Sequence, residues 1–390
     1  MLSLFNGDEH ELEWAGREVG HGLAEACGRR GGGMSALSES ISQRMTLGYL
    51  RTHYGLRLIP PSAEGVTVTS LSEDLASVRP GSLYLAHVRA GDGDPDWSKA
   101  QDASAASGPA GDGADAIDDD TESGAERPAG AGRSYTRTFE ASDQDLVAQA
   151  EARGAYAVLL PEQAGGQDPA ESDIPLLVGN LKPEQLGRIL SNAAGDPTAS
   201  LAVFVLVGHD VGEWARELAR FLHTLGNPVG LIGANGSNSL ARPLDMAAPL
   251  SMFDVQRALS ICLEDGCAAV VIQADPASLE PQALQGVQVD VLAFPEASGS
   301  SDRGPSALAH FHEIRKGRAL EAGRRYGFCV DGGTQVARRD EESDELARMT
   351  SADGDSKAVD RLSLNIAMTV AAGVKRSHIR SALEASRELS

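Results

Sequence analysis

The sequence predicts an α/β protein in which a small N-terminal α/β domain precedes a central domain with a doubly wound parallel sheet. Three observations lead to this prediction. After about residue 200, apolar runs of strand length alternate with segments of helical periodicity. The first of these runs, residues 201–207, is followed by Gly208 and a helical segment, as in a phosphate-binding loop. Shorter strand-like pieces lie between Val66 and Val178.

Composition limits the class of protein and its partners. The chain has 390 residues, 42% of them hydrophobic, and a formal net charge of -22. It is long enough for two or three domains. The acidic balance argues against nucleic acid, which is bound through clustered Lys and Arg. No stretch approaches the roughly 18 apolar residues of a membrane span, and no leader pattern is present. We expect a cytoplasmic protein without membrane insertion.

The cysteines give no sign of a metal or disulfide framework. None of Cys27, Cys262, Cys267 and Cys329 belongs to a CxxC pair. A structural zinc site or a disulfide-rich fold would require closer, paired spacing. We therefore expect core residues or idle thiols, and no bound metal.

The N-terminal half divides into three segments. Residues 1–44 are Gly-rich and charged, which predicts a flexible tail. The first domain is expected over 45–197. It is interrupted at 91–133 by Gly, Ala, Ser, Asp and Pro, which cannot offset their own ordering entropy, so we expect a disordered acidic insertion. The elements expected around it are a helix from Met45, strands at 66–69, 82–86, 157–160 and 174–178, and a helix at 145–154.

The second domain is expected over 198–390. Repeated strand–helix units predict a parallel sheet covered on both faces, with ligands at the carboxyl ends of the strands. Gly208 lies at such an end. The expected elements are strands at 201–207, 229–232, 268–272 and 289–294, helices near 213–225, 251–264 and 306–322, an acidic loop over 340–355, and a last helix near 376–388.

The turn after the first strand of this domain has lost the residues of a working phosphate loop. We expect its remains at Gly208, His209, Asp210, Gly212 and Glu213. A working loop has a Lys where Gly212 stands and a magnesium-binding Ser or Thr where Glu213 stands. Glu213 instead adds a carboxylate at a helix N-terminus that would favour an anion.

Two other features of the turns leave alternatives open. His209 and Asp210 could form an acid–base pair, but we favour a polar turn that caps the helix from Gly212. Residues 233–236 imitate a second Gly-rich loop. They contain no Lys and precede what reads as an irregular stretch, so a plain turn is expected there.

Several short motifs occur in an order shared with one enzyme family. Residues 78–86 read V-R-P-G-S-L-Y-L-A, residues 150–160 read A-E-A-R-G-A-Y-A-V-L-L, and residues 230–233 read G-L-I-G. In this order they resemble the Mur ligases, and most closely the UDP-N-acetylmuramoyl-tripeptide synthetases (MurE). The resemblance covers about the first 330 residues outside the tail and the insertion.

The resemblance implies a UDP-binding first domain and an ATPase-like central domain, and we expect the family's C-terminal ligase domain to be absent. It implies substrate contacts at Asp74, which remains from the family's Asp-Ser-Arg, and at Pro249, which remains from its Thr-Thr-Pro. Lys316 is the nearest candidate for the carbamylated Lys that bridges metal ions in the family, although we favour a surface Lys. Gln273 aligns with the family's magnesium-binding Glu.

These departures predict a protein that has lost catalysis. If each missing group costs about 3 kcal/mol of barrier, two of them remove about four orders of magnitude in rate. We expect an inactive pseudoenzyme with a binding or regulatory role in peptidoglycan precursor metabolism. Its expected partners are an authentic Mur ligase, another peptidoglycan assembly protein or a UDP-sugar peptide. The alternative is an ATP-dependent ligase that adds an amino acid to a UDP-N-acetylmuramoyl peptide, with ATP and Mg as cofactors. A third hypothesis is an interaction protein that binds through its acidic insertion.

Overall fold

The computed structural model describes residues 45–86, 143–162, 172–295, 305–350 and 356–388. The predicted tail at 1–44 and the predicted insertion at 91–133 lie outside these ranges. Among the helices that are described, none is both long enough and apolar enough to cross a membrane. Two β-sheets, each with helices packed against it, account for the described ranges.

The first sheet has five strands in the order β1-β5-β4-β3-β2, and all its pairs are parallel except β1 with β5. Its apolar strands are buried on both faces, as expected for a sheet covered by helices. The strands are β1 Arg57–Ile59, β2 Ser70–Ser72, β3 Ser82–Leu85, β4 Ala157–Leu160 and β5 Leu176–Val178, and the helices are α1 Leu47–Tyr54, α2 Asp143–Ala152 and α3 Pro183–Ala193.

The strand predicted at 66–69 is wrong. This segment makes only an isolated bridge, between Thr67 and Thr46, and the strand β2 begins at Ser70. Its backbone groups instead form hydrogen bonds with the start of α1 and the residues before it. Leu47 N donates to Val66 O, and Val68 N donates to Met45 O. The strand predicted at 157–160 is present with the predicted bounds, and those predicted at 82–86 and 174–178 are present but shorter.

The second sheet has seven strands in the order β12-β11-β6-β10-β7-β8-β9. The five strands from β12 to β7 are parallel, and β8 and β9 add an antiparallel edge. The strands are β6 Ala202–Val207, β7 Val229–Ile232, β8 Ser237–Ser239, β9 Arg242–Leu244, β10 Ala269–Ala274, β11 Val291–Ala293 and β12 Gln335–Val336. The helices are α4 Gly212–Thr224, α5 Met252–Glu264, α6 Pro305–Tyr326, α7 Glu341–Thr350, α8 Ser356–Ala371 and α9 Arg376–Glu388.

Helices cover both faces of this sheet. On one face, α5 and α6 contribute Leu259 and Ala319 to a core that includes Val205. On the other face, α4 and α8 contribute Leu218 and Leu364 to a second core. The central strands β6 and β10 are therefore enclosed from both sides, which explains why their sequences are apolar apart from Gln273. The predicted α/β class with a doubly wound parallel sheet is confirmed.

Two predictions for the second sheet's surroundings are wrong. Much of the expected acidic loop over 340–355 is the helix α7. Its start is fixed by Asp340, whose carboxylate accepts from Ser343 N at 2.7 Å, and its Leu346 and Ala347 are buried against neighbouring helices. Acidic residues in a first turn stabilise a helix N-terminus, so the acidic residues of this segment are also consistent with the start of a helix. The expected irregular stretch after residues 233–236 contains β8 and β9 instead.

Candidate functional site

A cleft of about 280 Å³ lies where the strands β6, β10 and β11 end. Its strand side is formed by Val207, Gly208, His209, Pro276 and Phe294. Its other side is the C-terminal half of α6. In a doubly wound sheet, ligands bind at the carboxyl ends of the strands, and the cleft occupies this position. The helix contributes Arg318, Glu321, Ala322, Arg325 and Tyr326.

The loop after β6 enters α4 without a polar cap. Asp210 adopts a left-handed conformation with φ of 51°. The residue before the helix is Val211, which is fully buried and makes no side-chain capping hydrogen bond. The predicted polar cap is therefore wrong, because packing of Val211 into the core fixes the start of the helix. In the described part of the chain, the side chains of His209 and Asp210 take part in no hydrogen bond, so they do not form the alternative acid–base pair.

Gly212 is packed tightly against two side-chain amides. A Cβ atom at this position would overlap Asn235 Nδ2 and would lie 3.2 Å from Gln273 Oε1. The backbone N–H of Gly208 already has a hydrogen-bond acceptor within the protein, because it donates to Ala274 O at 3.4 Å. A side chain at this position would therefore require the exposed side chain of Asn235 to move.

A buried hydrogen-bond network lies next to this loop and involves Asp275. Gln273 Nε2 donates to Asp275 Oδ2 at 2.5 Å. The other carboxylate oxygen accepts from Ala277 N at 3.0 Å and from Ser278 N at 2.8 Å. Ser278 Oγ in turn accepts from Ala234 N at 3.1 Å. The network joins the end of β10 to the turn after β7, so its carboxylate has a structural role.

The residues around the loop do not fit magnesium-bound ATP. Such a site needs a cation at the phosphates and oxygen ligands for the metal. Here Glu213 stands in the first turn of α4, and Gln273 is hydrogen-bonded to Asp275. No group of three His, Cys, Asp or Glu side chains able to hold a metal ion occurs in the ranges that the structure describes.

Two arginines of α6 stack on aromatic rings at the cleft. The guanidinium carbon of Arg318 lies 4.8 Å from the centre of the Phe294 ring, and that of Arg325 lies 5.3 Å from the centre of the Tyr326 ring. These distances are within the range of cation–π contacts. Burial raises the pKa of Tyr326 to about 12, so its hydroxyl stays protonated at neutral pH.

A third arginine adds positive charge beside the cleft. Burial lowers the pKa of the half-buried Arg315, and the neighbouring Arg338 and Arg318 lower it further. The positive charges of Arg315, Arg318 and Arg338 repel one another, and their potentials add. Among the described residues, Arg315, Arg318 and Arg338 therefore place positive charge beside the cleft, although the whole chain carries a net charge of -22.

The structure places the remaining predicted site residues elsewhere. Asp74 begins the 3₁₀ turn Leu75–Ser77, where its carboxylate accepts from Ser77 N at 2.8 Å. Pro249 is exposed, one residue before the buried Leu250. Lys316 is exposed on α6 and does not line the cleft. Of the predicted residues, only Gly208 and His209 contribute to the cleft's lining.

Sequence reasoning missed the arginines and aromatic residues of the cleft. A signal for them exists, because Arg318, Ala322 and Arg325 are separated by four and three residues and so share one helical face. Without the sheet order, nothing in the sequence shows that this face meets the strand ends.

Comparison with known proteins gives only distant structural similarity. No protein-family model matches the chain, and no curated protein matches it. Among solved structures, MurF from Acinetobacter baumannii is similar at 12% identity and a TM-score of 0.42, covering 86% of this chain and 66% of that one. A UDP-N-acetylmuramoyl-L-alanyl-D-glutamate–2,6-diaminopimelate ligase is similar at 12% identity and a TM-score of 0.46, covering 89% of this chain and 67% of that one.

A bifunctional folylpolyglutamate synthase/dihydrofolate synthase from Yersinia pestis is also similar, at 15% identity and a TM-score of 0.31. That similarity covers 51% of this chain and 61% of the synthase. The chain thus spans about two thirds or less of the length of these enzymes. Identities and TM-scores this low do not support a function.

Proposed function

We propose that this chain is a Mur-ligase-like protein of peptidoglycan precursor metabolism that binds a ligand or partner without catalysing ATP-dependent ligation. The motif order described above supports the family. The observation that carries the loss of catalysis is the identity of the loop residues, because Gly212 stands where a phosphate-binding Lys would be and Glu213 stands in the first turn of α4. The side-chain amides of Asn235 and Gln273 also lie against Gly212, so a Lys there would require them to move.

The electrostatics of the loop support the same proposal. Phosphoryl transfer requires cations that neutralise the phosphates as charge moves. In this loop Glu213 adds a negative charge, and Gln273 supplies an amide where a metal would need a carboxylate. Two missing groups of about 3 kcal/mol each would lower the rate by about four orders of magnitude.

The domain organisation belongs to the same proposal. We place the first domain at 45–197 and the central domain from 198 onward. The proposed boundary falls at the 3₁₀ turn Pro197–Ala199, which separates α3 from β6 and hence separates the two sheets.

Isothermal titration calorimetry with Mg-ATP tests the loss of nucleotide binding. We expect no saturable heat at high protein concentration, and no ADP release when a UDP-N-acetylmuramoyl peptide and an amino acid are added. Micromolar binding of Mg-ATP would contradict the proposal and would favour the ligase alternative. A Gly212→Lys variant is the matched control. It should not gain ATP binding, because Glu213 would still place a carboxylate in the first turn of α4.

Precursor binding by the first domain is tested separately. We expect Asp74→Ala to abolish binding of a UDP-N-acetylmuramoyl peptide. Asp74→Asn controls for structure, because the Asn side chain can still accept from Ser77 N and keep the turn. Unchanged binding by Asp74→Ala would exclude Asp74 as a substrate contact and would direct the search to partner proteins.

A further inference from the structure

We propose that the cleft at the ends of β6, β10 and β11 binds a small anion bearing a carboxylate or phosphate group, held by Arg318 and Arg325. This inference goes beyond the proposed function. It concerns a ligand that needs neither nucleotide nor metal, and it would hold whether or not the chain has lost catalysis.

The first argument is the placement of the two arginines. They lie seven residues apart on α6, so their side chains leave the same face of the helix, with Ala322 between them. A small residue at that position leaves the cleft open between the two guanidinium groups. An anion bound in the cleft would therefore be contacted by Arg318 on one side and by Arg325 on the other.

The second argument is preorganisation. Each guanidinium group is stacked on a ring, Arg318 on Phe294 and Arg325 on Tyr326. Phe294 and Tyr326 are themselves buried, so the rings hold the guanidinium planes in place. A planar guanidinium fork that is already oriented loses little freedom when it binds carboxylate or phosphate, and it matches both groups geometrically.

The third argument is the charge balance. Among the described residues that line the cleft, Glu321 is the only acidic side chain, against two arginines and His209. Beside the cleft, Arg315 and Arg338 form no ion pair with any residue of the described ranges. Arg315 is half-buried and is repelled by Arg338 and Arg318, so an anionic ligand at Arg318 would offset part of this repulsion.

The size of the cleft limits the ligand. Its volume of about 280 Å³ is at the lower end for small-molecule sites. An inorganic phosphate or a short carboxylic acid fits this space. The chemistry shared by both is an oxyanion within reach of two guanidinium groups.

The test is a titration with two probes, inorganic phosphate and succinate, in buffer with EDTA and without nucleotide. Binding is followed by calorimetry and by the rise of Tm with probe concentration, with chloride at equal ionic strength as the control. We expect saturable binding of at least one probe, and the stronger one identifies the anion class. Because nucleotide and metal are excluded, the result is independent of the Mg-ATP titration.

Four variants make the test specific. Arg318→Gln and Arg325→Gln should each weaken binding about tenfold, because each removes a charged hydrogen-bond donor. Glu321→Gln should tighten binding about threefold or more by removing the carboxylate from the cleft. Arg324→Gln is the matched control, since Arg324 is exposed on the same helix, is adjacent to Arg325 and does not line the cleft.

The proposal is overturned if neither probe binds saturably to the wild-type chain or to Glu321→Gln. It is equally overturned if Arg324→Gln weakens binding as much as Arg325→Gln, because the effect would then be one of general charge. If an arginine variant fails to fold by circular dichroism, the gain in affinity expected for Glu321→Gln decides the question, since misfolding cannot produce it.

Discussion

Asp275 shows at the scale of one residue how the region beside the loop after β6 is stabilised. Its buried carboxylate accepts from two backbone amides and from Gln273. Replacement by Ala leaves three donors, two of them buried, without this partner, so we expect Asp275→Ala to lower the free energy of unfolding by about 3 kcal/mol. Asp275→Asn keeps an oxygen for the backbone amides and should cost about half as much. Urea denaturation measures both, and equal losses would contradict this account.

Tyr326 predicts how stability depends on pH. Its pKa is raised to about 12 by burial, from 10.0, so in the alkaline range the unfolded chain releases this proton before the folded chain does. The folded state then binds more protons, and stability falls as pH rises from about 10 to 12. The expected loss is up to about 3 kcal/mol. Below pH 10 this group contributes no pH dependence.

The control for this prediction is Tyr326→Phe. The variant should show a shallower fall in unfolding free energy over the same pH range, measured by urea denaturation at pH 9, 10 and 11. Tyr84 remains in both proteins, and its pKa is also raised, first by burial and then by Asp74. Identical pH profiles for the two proteins would show that Tyr326 does not titrate as described.

At the scale of elements, two helical glycines predict opposite effects of the same substitution. Gly187 of α3 faces the loop that follows β10, where a Cβ would lie 2.5 Å from the backbone carbonyl carbon of Gln285. Gly317 of α6 faces open space. We expect Gly187→Ala to destabilise by about 3 kcal/mol through overpacking, even after the gain in helix propensity. Gly317→Ala should stabilise by about 1 kcal/mol.

Thermal and urea unfolding of the two variants measure this contrast. Because both replace Gly by Ala within a helix, they share the same change in propensity, and the difference between them reports the contact alone. Similar effects at both positions would show that α3 does not pack closely against residues 285–286.

The elements themselves were predictable to different degrees. The strands β6, β7 and β10 are buried apolar runs bounded by Gly or polar residues, so their pattern identified them directly. The helix α7 was missed because its acidic first turn reads as a loop, and its few buried residues pack against helices that follow in the sequence. The strands β8 and β9 contain mostly polar residues. They are stabilised by the pairing of β8 with β7 and of β9 with β8, which sequence alone does not show.

At the scale of the whole molecule, the segment at 91–133 gives a test of domain integrity. It contains eleven acidic and three basic side chains and few large apolar residues. Such a composition adds little to a packed core, so we expect its replacement by a short Gly–Ser linker to leave the unfolding free energy unchanged within about 0.5 kcal/mol. The same variant tests the interaction hypothesis, because loss of partner binding with unchanged stability would assign binding to this segment.

The sequence by itself determined the α/β class and a turn after β6 that begins with Gly208 and contains no Lys. These properties are local, since they depend on hydrophobic periodicity and on residue identity within a few positions. Only the tertiary structure decided that the side chains of Asn235 and Gln273 lie against Gly212. It also decided that Arg318 and Arg325 lie at the ends of three strands. The physical reason is that these contacts join residues far apart in the chain, and they depend on the order in which β11, β6 and β10 pair.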